Sequence, residues 1–141
     1  ESELGLMAKK FMEAGELVTD ELIIGMIKNK ITSESSGKGF LLDGFPRTIS
    51  QAHALDEMLK ANSLKVDNVV SLEVDDSVLI ERLLLRGRSD DNEETIKNRL
   101  EVYKNQTLPI KEYYRNLDIL VEIKGDDSVE IVSENIFKAL N

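Results

Sequence analysis

A chain of 141 residues with 41% apolar side chains is one domain's worth of sequence, with enough apolar mass for a substantial core. Eighteen Lys and Arg against 27 Asp and Glu leave a net charge of −9, which opposes a nonspecific grip on nucleic acid or anionic lipid and requires any cationic site to be built locally. The absence of cysteine excludes disulfides and thiolate metal sites, and no run approaches the roughly 18 apolar residues needed to cross a bilayer.

Glu1-Ser2-Glu3 is acidic where a signal peptide carries basic residues, so a cytoplasmic protein is expected. Ser2 is placed to cap a helix carrying Leu4, Met7, Ala8, Phe11 and Met12, stopped by Gly15. Thr19-Asp20-Glu21 opens a second helix with Leu22, Ile23, Met26, Ile27 and Ile31, and 33–38 reads as a polar loop. Gly39 to Leu42 is an apolar run too short for a helix and bounded by Gly44 and Pro46, which predicts a buried strand. Ile49 to Ala61 is helical, with Ile49, Ala52, Leu55 and Leu59 on one stripe. Asn68 to Val74 predicts the next strand, and Asp75-Asp76-Ser77 caps a helix through Leu84. Asp90-Asp91-Asn92 caps a long helix that Pro109 kinks or divides. Ile119 to Ile123 is a third strand, and Val129 to Leu140 closes the chain as a helix. Strands alternating with helices indicate parallel pairing in an α/β fold. Three parallel strands make a thin sheet, since such strands are usually buried on both faces.

Two places carry chemistry. Behind the strand predicted at 39–42, the chain runs Asp43-Gly44-Phe45-Pro46-Arg47-Thr48, with Gln51 four residues after Arg47. Ligands of open α/β sheets bind just beyond the carboxyl ends of strands, where Asp43 and Arg47 fall. Arginine offers a planar fork of donors for phosphate, and a glutamine amide can read a base edge. The same residues also suit an ordinary strand-to-helix turn with a surface arginine. The second place is arginine-rich. Arg82 and Arg86 share a helix face at i and i+4, Gly87 ends that helix, Arg88 follows, and Arg99 lies on the next helix. Such arginines can form a solvated face paired with Asp90, Asp91 and Glu94, or a cationic cage for polyphosphate. Phosphoryl transfer needs the latter, because charge spreads over the transferred oxygens. His53, the single histidine, fits a helix surface, and Tyr103, Tyr113 and Tyr114 fit helix packing.

The run Gly39-Phe-Leu-Leu-Asp-Gly-Phe-Pro-Arg-Thr48 followed by Gln51 resembles the signature of the adenylate kinase family of nucleoside monophosphate kinases. Four further segments fit the same family: Gly15 to Glu21, Arg88 to Glu94, Arg99 to Tyr103, and Thr107 to Tyr114. The resemblance implies reversible Mg2+-dependent phosphoryl transfer from ATP to AMP, giving two ADP. It implies that Arg47 grips the AMP phosphate, that Gln51 meets the adenine edge, and that Gly44 packs close to the base. Leu17 and Val18 would lie in the AMP-binding segment, and Asp43 would act on Mg2+ through water. Arg82 would lie near the ATP adenine and Arg86 at its phosphates, while Arg88 and Arg99 would clamp the phosphates on closure, held by Asp90 and Asp91.

The fold so implied is P-loop-kinase-like, a three-layer α/β/α arrangement around a parallel sheet. Members of the family begin with a strand and a glycine-rich loop ending in lysine. The 141 residues contain no Gly-x-x-x-x-Gly-Lys; Gly37-Lys38 is their single Gly-Lys pair. The expectation is therefore a truncated single domain, lacking the first strands and the phosphate loop and inactive until that segment is supplied. Its parts would be a helical AMP-binding segment (1–36), core (37–86), a minimal lid (87–91) and core again (92–141). So short a lid leaves no place for zinc. Expected partners are ATP, AMP and ADP, with no nucleic acid and no membrane, and a monomer when intact, with a complementing N-terminal segment as a further partner. The alternatives are a UMP/CMP kinase, or a noncatalytic nucleotide-sensing or scaffold domain derived from the same fold.

Overall fold

The computed structural model describes residues 3–14, 18–34, 39–89 and 91–141. They form two compact units, divided between Lys65 and Val66.

The first unit is helical. Helix α1 spans Glu3–Glu13, α2 spans Asp20–Glu34 and α3 spans Ile49–Ala61, with α2 packed on both of the others. Each well-defined start has a local cause. The Thr19 hydroxyl accepts from the Leu22 amide at 3.4 Å ahead of α2, and the Thr48 hydroxyl accepts from the Gln51 amide at 3.2 Å ahead of α3. The stripe predicted on α3 is the one that is buried, as Ala52, Leu55 and Leu59 joined by Met58, and Ala8, Leu22 and Ile31 complete this core. Helix α2 extends through Ser33 and Glu34, where a loop is expected from the sequence. The hydroxyls of Thr32 and Ser33 donate to the Lys28 and Lys30 carbonyls at 2.8 and 3.3 Å, so these polar residues continue the helix instead of breaking it.

Gly39 to Leu42 is not a strand. The segment is described without a ladder partner, and Leu41 is 87% exposed. Periodicity identifies an apolar run, but a strand exists only where a neighbour accepts and donates its backbone hydrogen bonds. Among the described residues there are accordingly two strands, not three.

Both strands lie in the second unit. Strand β1 spans Val69–Glu73 and β2 spans Leu120–Lys124; they pair in parallel, in register from Val69 with Leu120 to Glu73 with Lys124. Helices α4 (Asp76–Arg86), α5 (Glu93–Gln106), α6 (Leu108–Asn116) and α7 (Val129–Leu140) complete a helix-rich α/β unit with the parallel pairing expected from the sequence. Pro109 divides the predicted long helix, since it lacks an N–H to donate and is tolerated in the first turn of α6. The core consists of Ile96, Ile110, Tyr114 and Ile123. Tyr113 and Tyr114 meet edge to face with centroids 5.0 Å apart, whereas Tyr103 is exposed and does not pack as predicted.

Two contacts fix the strands. Lys111 of α6 reaches Glu73 of β1 at 2.7 Å and Glu122 of β2 at 2.9 Å. Burial disfavours the Lys111 charge, but the two carboxylates outweigh it and hold its pKa above the ordinary lysine value. Its hydrogen bonds likewise hold Glu73 and Glu122 below the usual carboxylate range. Beyond β2, the Gly125 amide donates to the Glu73 carbonyl at 2.8 Å. A Cβ on Gly125 would stand 2.9 Å from Val74 Cγ2 and 3.1 Å from Leu72 Cβ, so the close approach of the strand ends requires glycine.

Burial separates two leucines sharply. Leu59→Ala removes a side chain with no exposed surface and is expected to cost about 2–5 kcal/mol in urea unfolding. Leu41→Ala is expected to fall within about 0.5 kcal/mol of the parent. Equal costs at the two positions would contradict the exposed course of 39–42.

Candidate phosphate and base site

The residues singled out by the sequence fall into two sets, one in each unit. Leu17 and Asp90 lie outside the described residues. Val18 is half-buried, one residue ahead of the Thr19 cap.

In the first unit the turn from Asp43 to Gln51 is tied by side chain to backbone bonds. Gly44 has φ 73°, and Phe45–Pro46 is a cis peptide. The left-handed conformation favours glycine at 44, and a Cβ there would come within 3.2 Å of Arg47 Nη2. Arg47 Nε donates to the Gly44 carbonyl at 2.8 Å, so the guanidinium lies back over the turn. The Arg47 amide donates to Gln51 Oε1 at 2.8 Å, and Gln51 Nε2 donates to Asp20 Oδ1 at 2.8 Å. The Ser50 hydroxyl is 3.4 Å from Asp20 Oδ2. Gly44, Arg47 and Gln51 are thus joined directly by two hydrogen bonds, and a third ties Gln51 to Asp20. Asp20, expected only to open a helix, is the site neighbour that the sequence does not reveal; it lies 31 residues from Gln51, and no local pattern links them.

Asp43 is exposed at the start of this turn. Among the described residues no three acidic or histidine side chains cluster as a metal cage. Mg2+ retains several waters and takes one or two carboxylates together with substrate phosphates. A single accessible carboxylate fits such a role.

In the second unit three arginines meet Asp91. Arg86 donates Nε and Nη2 to its two oxygens at 2.8 and 2.6 Å, a bidentate pair. Arg99 Nη1 donates to Oδ1 at 3.2 Å, and the Arg88 backbone amide to Oδ2 at 3.2 Å. The Asp91 amide returns a bond to the Arg88 carbonyl at 2.9 Å, which closes the loop between α4 and α5. The helix cap itself is the next residue, Asn92, whose side chain accepts from the Thr95 amide at 2.9 Å. The Asp91 side chain has no exposed surface. Its hydrogen bonds, with Arg86 the largest cause and the Arg88 amide and Arg99 adding to it, hold its pKa at about 2 against desolvation. Arg82 goes elsewhere. It reaches the carbonyls of Gly125 and Asp126 at 3.3 and 3.4 Å, at the turn behind the carboxyl end of β2.

Asp91 supplies a test in acid. A carboxylate whose pKa is depressed on folding adds stability above its unfolded pKa, near 3.8, and this is lost as pH falls toward about 2. Asp91→Asn is therefore expected to lower stability at neutral pH and to flatten the acid limb between about pH 4 and 2. A parallel displacement at every pH, or a carboxyl carbon titrating at the ordinary aspartate value by NMR, would contradict the arrangement.

Comparison with known proteins places these residues in context. The family model described as adenylate kinase matches residues 1–119. A protein of Leptospira biflexa named adenylate kinase is 48% identical over 141 residues, covering 97% of this chain and 76% of the relative. Proteins of the same name from Synechococcus sp. strain CC9902 and Corynebacterium urealyticum are 47% and 45% identical over 140 residues, each alignment covering 99% of this chain and 76% of the relative.

Proposed function

The chain belongs to the adenylate kinase family of nucleoside monophosphate kinases, which are phosphotransferases, and from that premise we propose that it transfers the terminal phosphoryl group of Mg·ATP to AMP, giving two ADP. The observation that carries this reading is the convergence of the Arg86 and Arg99 guanidiniums and the Arg88 backbone amide on one fully covered carboxylate in a chain of net charge −9.

Little covalent chemistry falls to the protein in phosphoryl transfer; positioning and charge stabilisation do most of the work. Asp91 holds Arg86 and Arg99 at set positions before substrate arrives, which limits the reorganisation needed when charge develops on the transferred oxygens. Arg86 addresses the ATP phosphates, and Arg88 and Arg99 complete the clamp. Arg82, fixed on the Gly125–Asp126 turn at the end of β2, serves the adenine side of ATP, where ligands of parallel sheets bind. On the acceptor side, Arg47 takes the AMP phosphate, Gln51 the adenine edge, and Leu17 and Val18 flank the base. Gly44 keeps the turn beneath the base free of a side chain. Mg2+ would be held through water by Asp43 and would neutralise phosphate charge. Gln51 favours adenine over uracil, because its engaged amide still offers one lone pair and one N–H, complementary to an amino group beside a ring nitrogen. Cytoplasmic location and a monomeric state belong to the same proposal.

Arg47 tests the acceptor side. Calorimetric titration of Arg47→Ala with AMP is expected to show a loss of about 1.5–3 kcal/mol, or roughly 10–100-fold in Kd, with ATP affinity almost unchanged. Unaltered AMP affinity would remove Arg47 from the phosphate site.

The 141 residues contain no Gly-x-x-x-x-Gly-Lys loop to cradle the donor phosphates. In a coupled assay the 141-residue chain alone is expected to form no ADP from AMP and ATP, and activity is expected to appear when a strand–loop–helix segment carrying that motif is added. Robust turnover by the chain alone would show that its arginines suffice.

A further inference from the structure

A glutamine amide discriminates between bases only if its oxygen and nitrogen cannot exchange places. Rotation about the terminal torsion swaps donor for acceptor, and that torsion is intrinsically broad. Here two bonds of opposite sense oppose the swap. Oε1 of Gln51 accepts from the Arg47 backbone amide at 2.8 Å, and Nε2 donates to Asp20 Oδ1 at 2.8 Å. A flipped amide would set N–H against N–H at Arg47 and oxygen against carboxylate at Asp20. The carboxylate is itself held: Ser50 Oγ donates to its other oxygen at 3.4 Å, and Ser50 is in turn 3.1 Å from the hydroxyl of Thr48, the cap of α3. Asp20 stands at the first position of α2, where the Thr19 cap fixes the helix start.

We infer that Asp20 is a specificity-determining positioning residue: by fixing the Gln51 amide it makes the acceptor site select a base with an amino donor beside a ring-nitrogen acceptor over the isostere in which the two roles are reversed. The inference rests on the assignment of Gln51 to the base edge. Adenine presents the first pattern at its amino group and N1. Hypoxanthine, nearly identical in shape, presents a carbonyl oxygen and an N–H instead. A locked amide leaves both polar atoms of the wrong base unpaired, the form of discrimination that hydrogen-bonding sites achieve best. A free amide would rotate and accept either base.

The test compares AMP with IMP by calorimetric titration of the full 141-residue chain, as wild type, Asp20→Ala, Asp20→Asn and Gln51→Ala. The wild type is expected to prefer AMP, and Asp20→Ala to reduce that preference by ~10-fold or more, chiefly through tighter IMP binding. Asp20→Asn keeps an oxygen that accepts from Nε2 and is expected to restore most of the preference. Ribose 5-phosphate binding should be equal in the wild type and both Asp20 variants, which a general loss of structure would not allow. Loss of preference in Gln51→Ala with none in Asp20→Ala overturns the role of Asp20 alone. An unchanged preference in Gln51→Ala, or none in the wild type, overturns the base-reading assignment beneath it. A second measurement needs no variant: the NMR order parameter of the Gln51 side-chain amide is expected to approach the rigid-backbone value of about 0.85. A value below about 0.6 would show that the amide is not held.

Discussion

Arginines brought near one another repel, and a phosphate-binding cluster exists before its ligand only if something on the protein opposes that repulsion. In this chain the Asp91 carboxylate does so. It takes both donors of the Arg86 fork, one donor of Arg99 and the backbone amide of Arg88, so four hydrogen bonds converge on two oxygens. Its effect is mechanical as well as electrostatic. Arg86 closes α4, Arg99 lies on α5, and the mutual bonds between Arg88 and Asp91 fold the connection between them. The dipoles of the two helices act in the same direction: Arg86 sits at the carboxyl end of α4, and Glu93 and Glu94 at the amino end of α5. One side chain therefore sets both the angle of entry into α5 and the positions of the groups that would meet phosphate.

The turn at 43–51 uses a carboxylate in a related way. Asp20 orients Gln51, and the oxygen of Gln51 takes the amide of Arg47, whose guanidinium is in turn laid on Gly44. An acid thus stands behind the polar groups of each candidate set, without being among the groups expected to touch nucleotide. A strongly acidic chain can in this way still present local groups suited to anions. Its carboxylates contribute to the long-range field, but those at the sites are already hydrogen-bonded by the donors they orient, and short-range geometry governs what the sites can hold.

Much of this was legible locally. Helices α3 and α7 begin and end where the sequence predicts, because Thr48 and Ser128 are true caps and the apolar spacing is unbroken behind the first. The division at Pro109 and the end of α4 at Gly87 follow from single residues with one dominant effect. Arg86, Arg88 and Arg99 could be grouped because a short loop and two helix registers fix their spacing. What depends on tertiary partners was not legible. Gly39–Leu42 has the composition of a strand but no ladder, Tyr103 has the composition of a packing residue but faces solvent, and Arg82 turns from the expected arginine group to the carbonyls behind β2. The link from Asp20 to Gln51 spans two helices and leaves no trace in spacing.

The two-stranded sheet shows how far charge can substitute for apolar cover. Val70 and Leu72 of β1 are exposed, and Ile123 is the strand residue in the core, so burial alone fixes the pair weakly. Glu73 and Glu122, on neighbouring strands, repel each other and by themselves would part the ends of the ladder. Lys111 reverses that. It is mostly covered, held by α6 beside Ile110 and Tyr114, and it bonds both carboxylates at once. The depressed carboxylates add stability above their ordinary range, lost as pH falls through their lowered pKa values. The raised lysine adds stability below its ordinary value, lost as pH rises through its elevated one. The clasp is therefore complete from mildly acidic to mildly alkaline pH. Across that range it keeps the carboxyl ends of β1 and β2 together, the ends from which α4 and the Gly125–Asp126 turn that accepts from Arg82 proceed.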